Sequence, residues 1–276
     1  ARVVALTNGE VDIIDGIDAN VVDQITAAGC VLNKVEGMNI NYMAYNTDVL
    51  TDPEVRKALS QAINVPELVE SLYRGYASEA TTILPSFVPG YSSDVHQVSY
   101  DPEAAQATLA EKGVTDIYMV AYTNPRPYNT ATGQTLAEAI QGYWAKVGVN
   151  CRIDTFDWTS YIDKCNTGDF DVCLFGWTGD NGDPDNFLNL LANEDIGINV
   201  AHYKNDEYNA MLAEAVSLPN GDERNALYGE MEQKLADECV WLPISHQESL
   251  SAYVSNVHNF IYHPTGNVYL SKTYKY

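Results

Sequence analysis

The sequence predicts an α/β fold in which a central mixed sheet is flanked by helices, with strand-rich tails at both ends. Three observations carry this expectation. Residues 116–191 alternate strand, helix, strand, helix and strand, as a sheet of parallel strands covered by helices does. Two helix-start signals, Asp52-Pro53-Glu54 and Asp101-Pro102-Glu103, place a capping acid before a proline in the first turn. Residues 1–44 and 246–276 share a strand-rich character unlike the middle. The chain therefore reads as leaving one lobe, building a second over 45–245 and returning through 246–276. One continuous α/β domain with ragged ends is the alternative.

In order, Val11-Asp12-Ile13-Ile14 reads as a strand, and Asp18 to Ala28 as a helix ending at Gly29. Asn39 to Tyr45 alternates polar and apolar residues, as a half-buried strand would. After Pro53, residues Val55, Leu59, Ala62 and Ile63 share one helical face. A second helix runs from about Pro66 to Gly75. Residues 76–100, rich in Pro, Ser, Gly and Tyr, form a long irregular segment. A helix follows to about Lys112. Then come a strand at 116–122, a helix at 130–147, a strand at 149–156, a helix at 158–165 and a strand at 170–175. Helices near 185–191, 206–217 and 222–238 complete the middle. Residues 241–276 read as short strands and turns.

The 276 residues, 46% hydrophobic, can bury a core of ordinary size. No apolar run nears the eighteen or so residues of a membrane span. No signal peptide is visible, and the chain lacks an initiator Met, so it reads as mature, trimmed or part of something longer. Thirty-eight acids against 15 bases give a net charge of −23. That balance excludes a phosphate backbone or an anionic membrane surface as partner and favours solubility. The five cysteines, Cys30, Cys151, Cys165, Cys173 and Cys239, form no C-x-x-C pair and read as buried free thiols.

Ligands of open α/β sheets sit outside the carboxyl ends of the strands. Two such ends carry chemistry here, Thr123 to Tyr128 and Gly176 to Asp183. If their strands are parallel, both open on one edge. Arg126, one of six arginines, lies between two prolines that restrict its backbone. It reads either as a guanidinium gripping a carboxylate or as a solvated loop arginine. Asp180 could receive an ammonium group or could simply serve a turn. Asp183, before Pro184, looks like a helix cap. Trp177 offers a flat ligand surface or a core ring closing the sheet.

The acids from Asp180 onward fail the EF-hand pattern, with Gly182 at position three and Leu191 at position twelve. No G-x-S-x-G, H-E-x-x-H or P-loop motif is present, and the five histidines lack metal spacing. The expectation is a protein without enzymatic activity, cofactor or metal.

At this point the residues resemble a known family. Asn41-Tyr42-Met43-Ala44-Tyr45-Asn46-Thr47, Asp52 through Asn64, Tyr100 through Ala105 and Trp144 through Val149 resemble the solute-binding proteins of dipeptide and oligopeptide importers, family 5, which includes nickel- and heme-binding members. Arg126-Pro127-Tyr128-Asn129 and Gly176 through Phe187 look like its dipeptide-binding branch. The resemblance implies a periplasmic-binding-protein-like (type II) lobe and capture of short peptides for an ABC importer permease. It implies that Arg126 holds the peptide carboxylate, that Asp180 holds the ammonium and that Trp177 lines the pocket. With Tyr128 as a second wall, the expected ligand-binding residues are Arg126, Tyr128, Trp177, Thr178, Gly179 and Asp180. The protein is expected to act as a monomer outside the cytoplasm, in a periplasm or lipid-anchored at the membrane's outer face.

Nickel chelate, heme or another small solute is the alternative cargo, and a hydrolase the alternative of another class. Two departures stand out. The N-terminal lobe that closes over ligand in the family is missing, leaving 1–44 and 246–276 as its tails. The cysteine pair that often follows the Asp-rich loop is absent, so Ala192 to His202 is expected to differ in shape.

Overall fold

A computed structural model describes residues 1–193 and 198–276, with the backbone alone at 190 and 191. The segment 192–202, expected to differ in shape, falls partly outside the described residues. The chain opens with α1 (Arg2–Thr7), β1 (Ile13–Asp15), α2 (Val22–Ala27), β2 (Val31–Glu36) and β3 (Asn39–Tyr45). Next come α3 (Pro53–Gln61), α4 (Val65–Tyr73), β4 (Ala77–Glu79) and α5 (Pro102–Glu111). The middle holds β5 (Asp116–Tyr122), α6 (Gly133–Lys146), β6 (Asn150–Phe156), α7 (Trp158–Thr167), β7 (Val172–Thr178) and α8 (Asp185–Ala192). Then follow α9 (Asp206–Ser217), α10 (Asp222–Asp237) and β8 (Trp241–Tyr253). Two small ladders end the chain, β9 (Val257–His258) with β12 (Tyr274–Lys275) and β10 (Ile261–Tyr262) with β11 (Val268–Tyr269).

The helix starts follow their caps. Asp52 accepts from the Glu54 N–H at 2.9 Å and Asp101 from the Ala104 N–H at 2.9 Å, each with Pro in the first turn. Asp157 accepts from the N–H groups of Thr159 and Ser160 and from the Ser160 hydroxyl, which starts α7. Asp157→Ala is expected to cost about 1 kcal/mol in a urea melt; an unchanged midpoint would mean that α7 does not depend on this cap.

The sheet runs β1-β8-β3-β7-β5-β6, with β2 and β4 also paired to β8. Strands β7, β5 and β6 are parallel, while β3 is antiparallel to both β7 and β8. The sheet is therefore mixed, as expected. Three readings need correction. Asn39–Tyr45 is buried along its whole length, because β3 lies between β7 and β8 with both faces covered. A strand buried on both faces carries no reliable alternation. Residues 241–253, read as short pieces, form one strand of 13 residues. Pro243 lies within this strand, and the ladder absorbs it through a register slip at Asn41/Tyr42. Trp177 and Thr178 are not loop residues. They end β7, paired with Ile40 and Asn39.

Strand β8 links two cores. Its first half packs in the large core with Ile40, Tyr42, Trp144 and Leu174. Its second half supplies Leu250 and Ala252 to a small core with Leu6, Ile14, Ile17, Val22 and Ile25. Across that passage the Asn39 amide mimics a backbone pair. It donates to the Gln247 carbonyl at 3.0 Å and accepts from the Gln247 N–H at 2.8 Å. Gly37 permits this close approach, since a Cβ there would lie 2.1 Å from the Asn39 amide nitrogen.

All five cysteines are free thiols, four of them buried and Cys30 half-buried. Among the described residues, no helix is long and apolar enough to cross a membrane.

Candidate functional site

Because β5 and β7 are parallel, the segments that follow Tyr122 and Thr178 leave the sheet at one edge. After β5 the chain turns tightly. Arg126 and Asn129 exchange backbone hydrogen bonds, 2.9 Å each way. The buried Asn129 side chain fixes this turn from below. Its amide donates to the Tyr122 hydroxyl at 3.0 Å, and its oxygen accepts from the Tyr73 hydroxyl at 2.9 Å and the Ala131 N–H at 3.2 Å. The Asn41 amide donates to Tyr73 in turn, at 3.1 Å. The Arg126 backbone is thus tied to α4, β5 and β3. Its guanidinium lies over the Trp158 ring, 3.7 Å from the centroid. Its Nε is buried without a hydrogen-bond partner among the described residues.

Arg126 faces a cavity of about 500 Å³. Thr178, at the end of β7, lines the same cavity, and its hydroxyl is also buried without a partner. Arg2, Asp15, Asn39, Leu250 and Tyr262 also line the space. Thr130 borders it too, and its hydroxyl donates to the Gln247 side-chain oxygen at 3.3 Å. The volume falls in the range of small-ligand sites. Arg126 and Thr178 thus line one cavity and each keeps a buried polar atom without a partner, which is uncommon because buried donors and acceptors otherwise find partners.

The remaining expected residues fall elsewhere. Asp180 is exposed and does not line this cavity. Its N–H donates to the Asn186 side-chain oxygen at 2.9 Å, and the Asn186 amide approaches its carboxylate at 3.4 Å. The Trp177 indole N–H donates to that same Asn186 oxygen at 3.1 Å, while its half-buried ring packs on the core. Asp183, expected as the cap of α8, lies one residue before the N-cap Pro184, and its carboxylate accepts from the Asp185 N–H at 2.9 Å. It also pairs through both oxygens with Arg224, at 2.9 and 3.0 Å. Burial raises the Asp183 carboxyl, but Arg224 and the Asp185 N–H outweigh it and hold the group below its ordinary value.

Tyr128, expected as a wall, is a core residue, only 5% exposed. Its ring stacks on Phe175 and meets Tyr122 edge-on. Burial pushes its phenol up, and the nearby Arg126 pulls it down. Gly176 makes room for it, since a Cβ there would lie 2.2 Å from the Tyr128 ring and 2.4 Å from the Ile40 carbonyl. Gly179 is a packing glycine. Its N–H donates to Met38 at 2.7 Å, and a Cβ would meet Phe187 at 2.7 Å.

Sequence reasoning missed Trp158, Asn39, Asn129 and Asn186. For Trp158 a signal existed. It follows β6, whose carboxyl end opens on the same edge as those of β5 and β7.

Residues 1–198 match the family model described as bacterial extracellular solute-binding proteins, family 5, middle region. The chain belongs to this family. Among family 5 relatives, heme-binding protein A of Haemophilus influenzae is 33% identical over 84% of this chain and 43% of its own length. The dipeptide-binding protein of Escherichia coli is 32% identical over 85% of this chain and 45% of its own length. The chain thus spans less than half of the curated relatives it matches. A solved dipeptide-binding protein from Pseudoalteromonas, in complex with Met-Leu, superposes with a TM-score of 0.89 at 25% identity. That match covers 100% of this chain and 56% of the solved one. The fold is the expected periplasmic-binding-protein-like lobe, a mixed sheet flanked by helices. Family 5 is a family of solute-binding proteins rather than of enzymes.

Proposed function

We propose that the complete protein captures short peptides, dipeptides above all, outside the cytoplasm and delivers them to an ABC importer permease. The observation that carries this reading is Arg126. It lies on a cavity wall with no ion-pair partner among the described residues and with Nε unsatisfied. Arg126 is half-buried, so its charge is partly desolvated without a counter-charge, and an incoming carboxylate supplies one through parallel charge-assisted hydrogen bonds. Asp180, two residues beyond the cavity-lining Thr178 and without an ion pair among the described residues, is the acid proposed for the peptide ammonium. Its exposure suits a group that meets ligand as a second jaw closes.

Residues 45–245 are the proposed ligand-binding lobe, with 1–44 and 246–276 leading to the other lobe. The separate small core around Ile25 and Leu250 supports that division. The proposed protein is a monomer held in a periplasm or by a lipid at the membrane's outer face.

Heme or nickel chelate is the competing cargo, since a heme-binding relative is as similar as a dipeptide-binding one. The cavity chemistry favours peptide over a nickel chelate, because no histidine, cysteine or methionine is among its described lining residues. Thermal shift on the complete protein tests this with a dipeptide, its C-terminal amide, a pentapeptide, hemin and nickel–histidine. The free dipeptide is expected to stabilise by about 2.7 kcal/mol at a hundredfold excess over Kd, with the amide far weaker. Stabilisation by hemin or nickel–histidine alone would overturn the reading.

A further inference from the structure

We infer that Trp158 is the positioning residue that makes Arg126 a reader of carboxylates; this rests on the peptide reading above. A guanidinium has two kinds of surface. Its edge carries all five N–H donors, and its face carries none. A carboxylate partner inside the protein would occupy the edge and compete with ligand. An aromatic ring engages the face and leaves the edge free. Arg126 shows the second arrangement, with its guanidinium carbon 3.7 Å from the Trp158 ring centroid and with the neutral Tyr128 phenol, not a carboxylate, as a hydrogen-bonding neighbour.

The ring is itself fixed. Trp158 stacks on Phe175 with centroids 5.9 Å apart, and it lies 5.7 Å from Tyr122 and 5.8 Å from Tyr161. It is the first residue of α7, directly after the Asp157 cap. The turn closed between Arg126 and Asn129 fixes the other end of the side chain. With both ends anchored, the guanidinium plane is set before ligand arrives, so little rotamer entropy is lost on binding. Thr178 lines the same cavity, at the end of the neighbouring strand β7. Trp158 is not among the residues that line the cavity, so it acts on ligand through the groups it packs against, Arg126 first among them.

The readout is the ratio of affinities for a dipeptide and for its C-terminal amide, measured by calorimetry on the complete protein. Trp158→Leu is expected to lower this ratio about tenfold while amide affinity stays within about twofold. Trp158→Phe, which keeps a ring, is expected to retain most of the ratio. Trp158→His gives a second route should the leucine variant not fold. At about pH 8, where the imidazole is neutral, its ratio should lie below that of Trp158→Phe, because the smaller ring covers less of the guanidinium face. Equal losses for acid and amide in Trp158→Leu, or an unchanged ratio, would overturn the assignment while leaving peptide binding intact. A parent protein that treats acid and amide alike would overturn the carboxylate reading, and this assignment with it.

Discussion

Replacing Arg126 by Ala is expected to lower dipeptide affinity at least tenfold, about 1.4 kcal/mol or more. Hydrogen bonds to a charged group contribute about 1.5–3 kcal/mol each. Removing one partner of a desolvated pair costs about 2–5 kcal/mol. The lower figure allows for water entering a cavity of about 500 Å³. Arg126→Lys should recover only part of the loss, because an ammonium lacks the planar fork and stacks less well on Trp158. Folding should be little affected, since the Arg126 side chain makes no ion pair among the described residues and its turn is held by backbone and Asn129. Asp180→Ala should weaken free dipeptides about three- to tenfold and N-acetylated ones hardly at all, as an exposed carboxylate is screened by water. Calorimetry on the complete protein measures both. An Arg126→Ala protein that binds dipeptide with parental affinity would remove the physical basis of the proposed function.

What the sequence could and could not reveal follows from which forces are local. Helices α3, α5 and α7 were legible because their caps and first-turn residues are neighbours in the chain. The parallel strands were legible as apolar runs between those helices. Strand β8 was not, because its continuity depends on distant partners, β3 and β4 along one half and β1 and β2 along the other. Helix α1 and strand β2 escaped for a related reason. The first is short and the second has no buried residue, so neither carries a strong period. At the site, Arg126 stood out by its rarity and its prolines. Tyr128 was read as a pocket wall, yet Gly176, 48 residues on, leaves the space that buries it. The stacking of Arg126 on Trp158 joins residues from two different strand ends and is invisible in one dimension.

The other large effect concerns Glu232 on α10, a buried acid with no ion pair among the described residues. One carboxyl oxygen accepts from the Leu84 N–H at 3.0 Å, while the other is buried without a partner. Thr82, Ile83 and Ser92 face it from the long irregular segment, and Tyr208 of α9 is its titratable neighbour. Burial raises the carboxyl from 4.5 to about 8, against hydrogen bonds that pull it down. The folded state therefore keeps this proton across a range where the unfolded chain has released it. Below about pH 4.5 both states hold it, and the group contributes nothing. As pH rises from there to about 8, stability falls, and above that the full penalty stands, roughly 4–5 kcal/mol. Glu232→Gln keeps the acceptor for Leu84 and cannot ionise. Urea melts at about pH 5, 7 and 9 should show the variant near parental stability at the acid end and more stable by several kcal/mol at the alkaline end. Every other titrating group is common to both proteins, so the difference between them isolates this one. A difference that stays flat across the three pH values would mean that Glu232 ionises in the folded state as freely as in the unfolded chain.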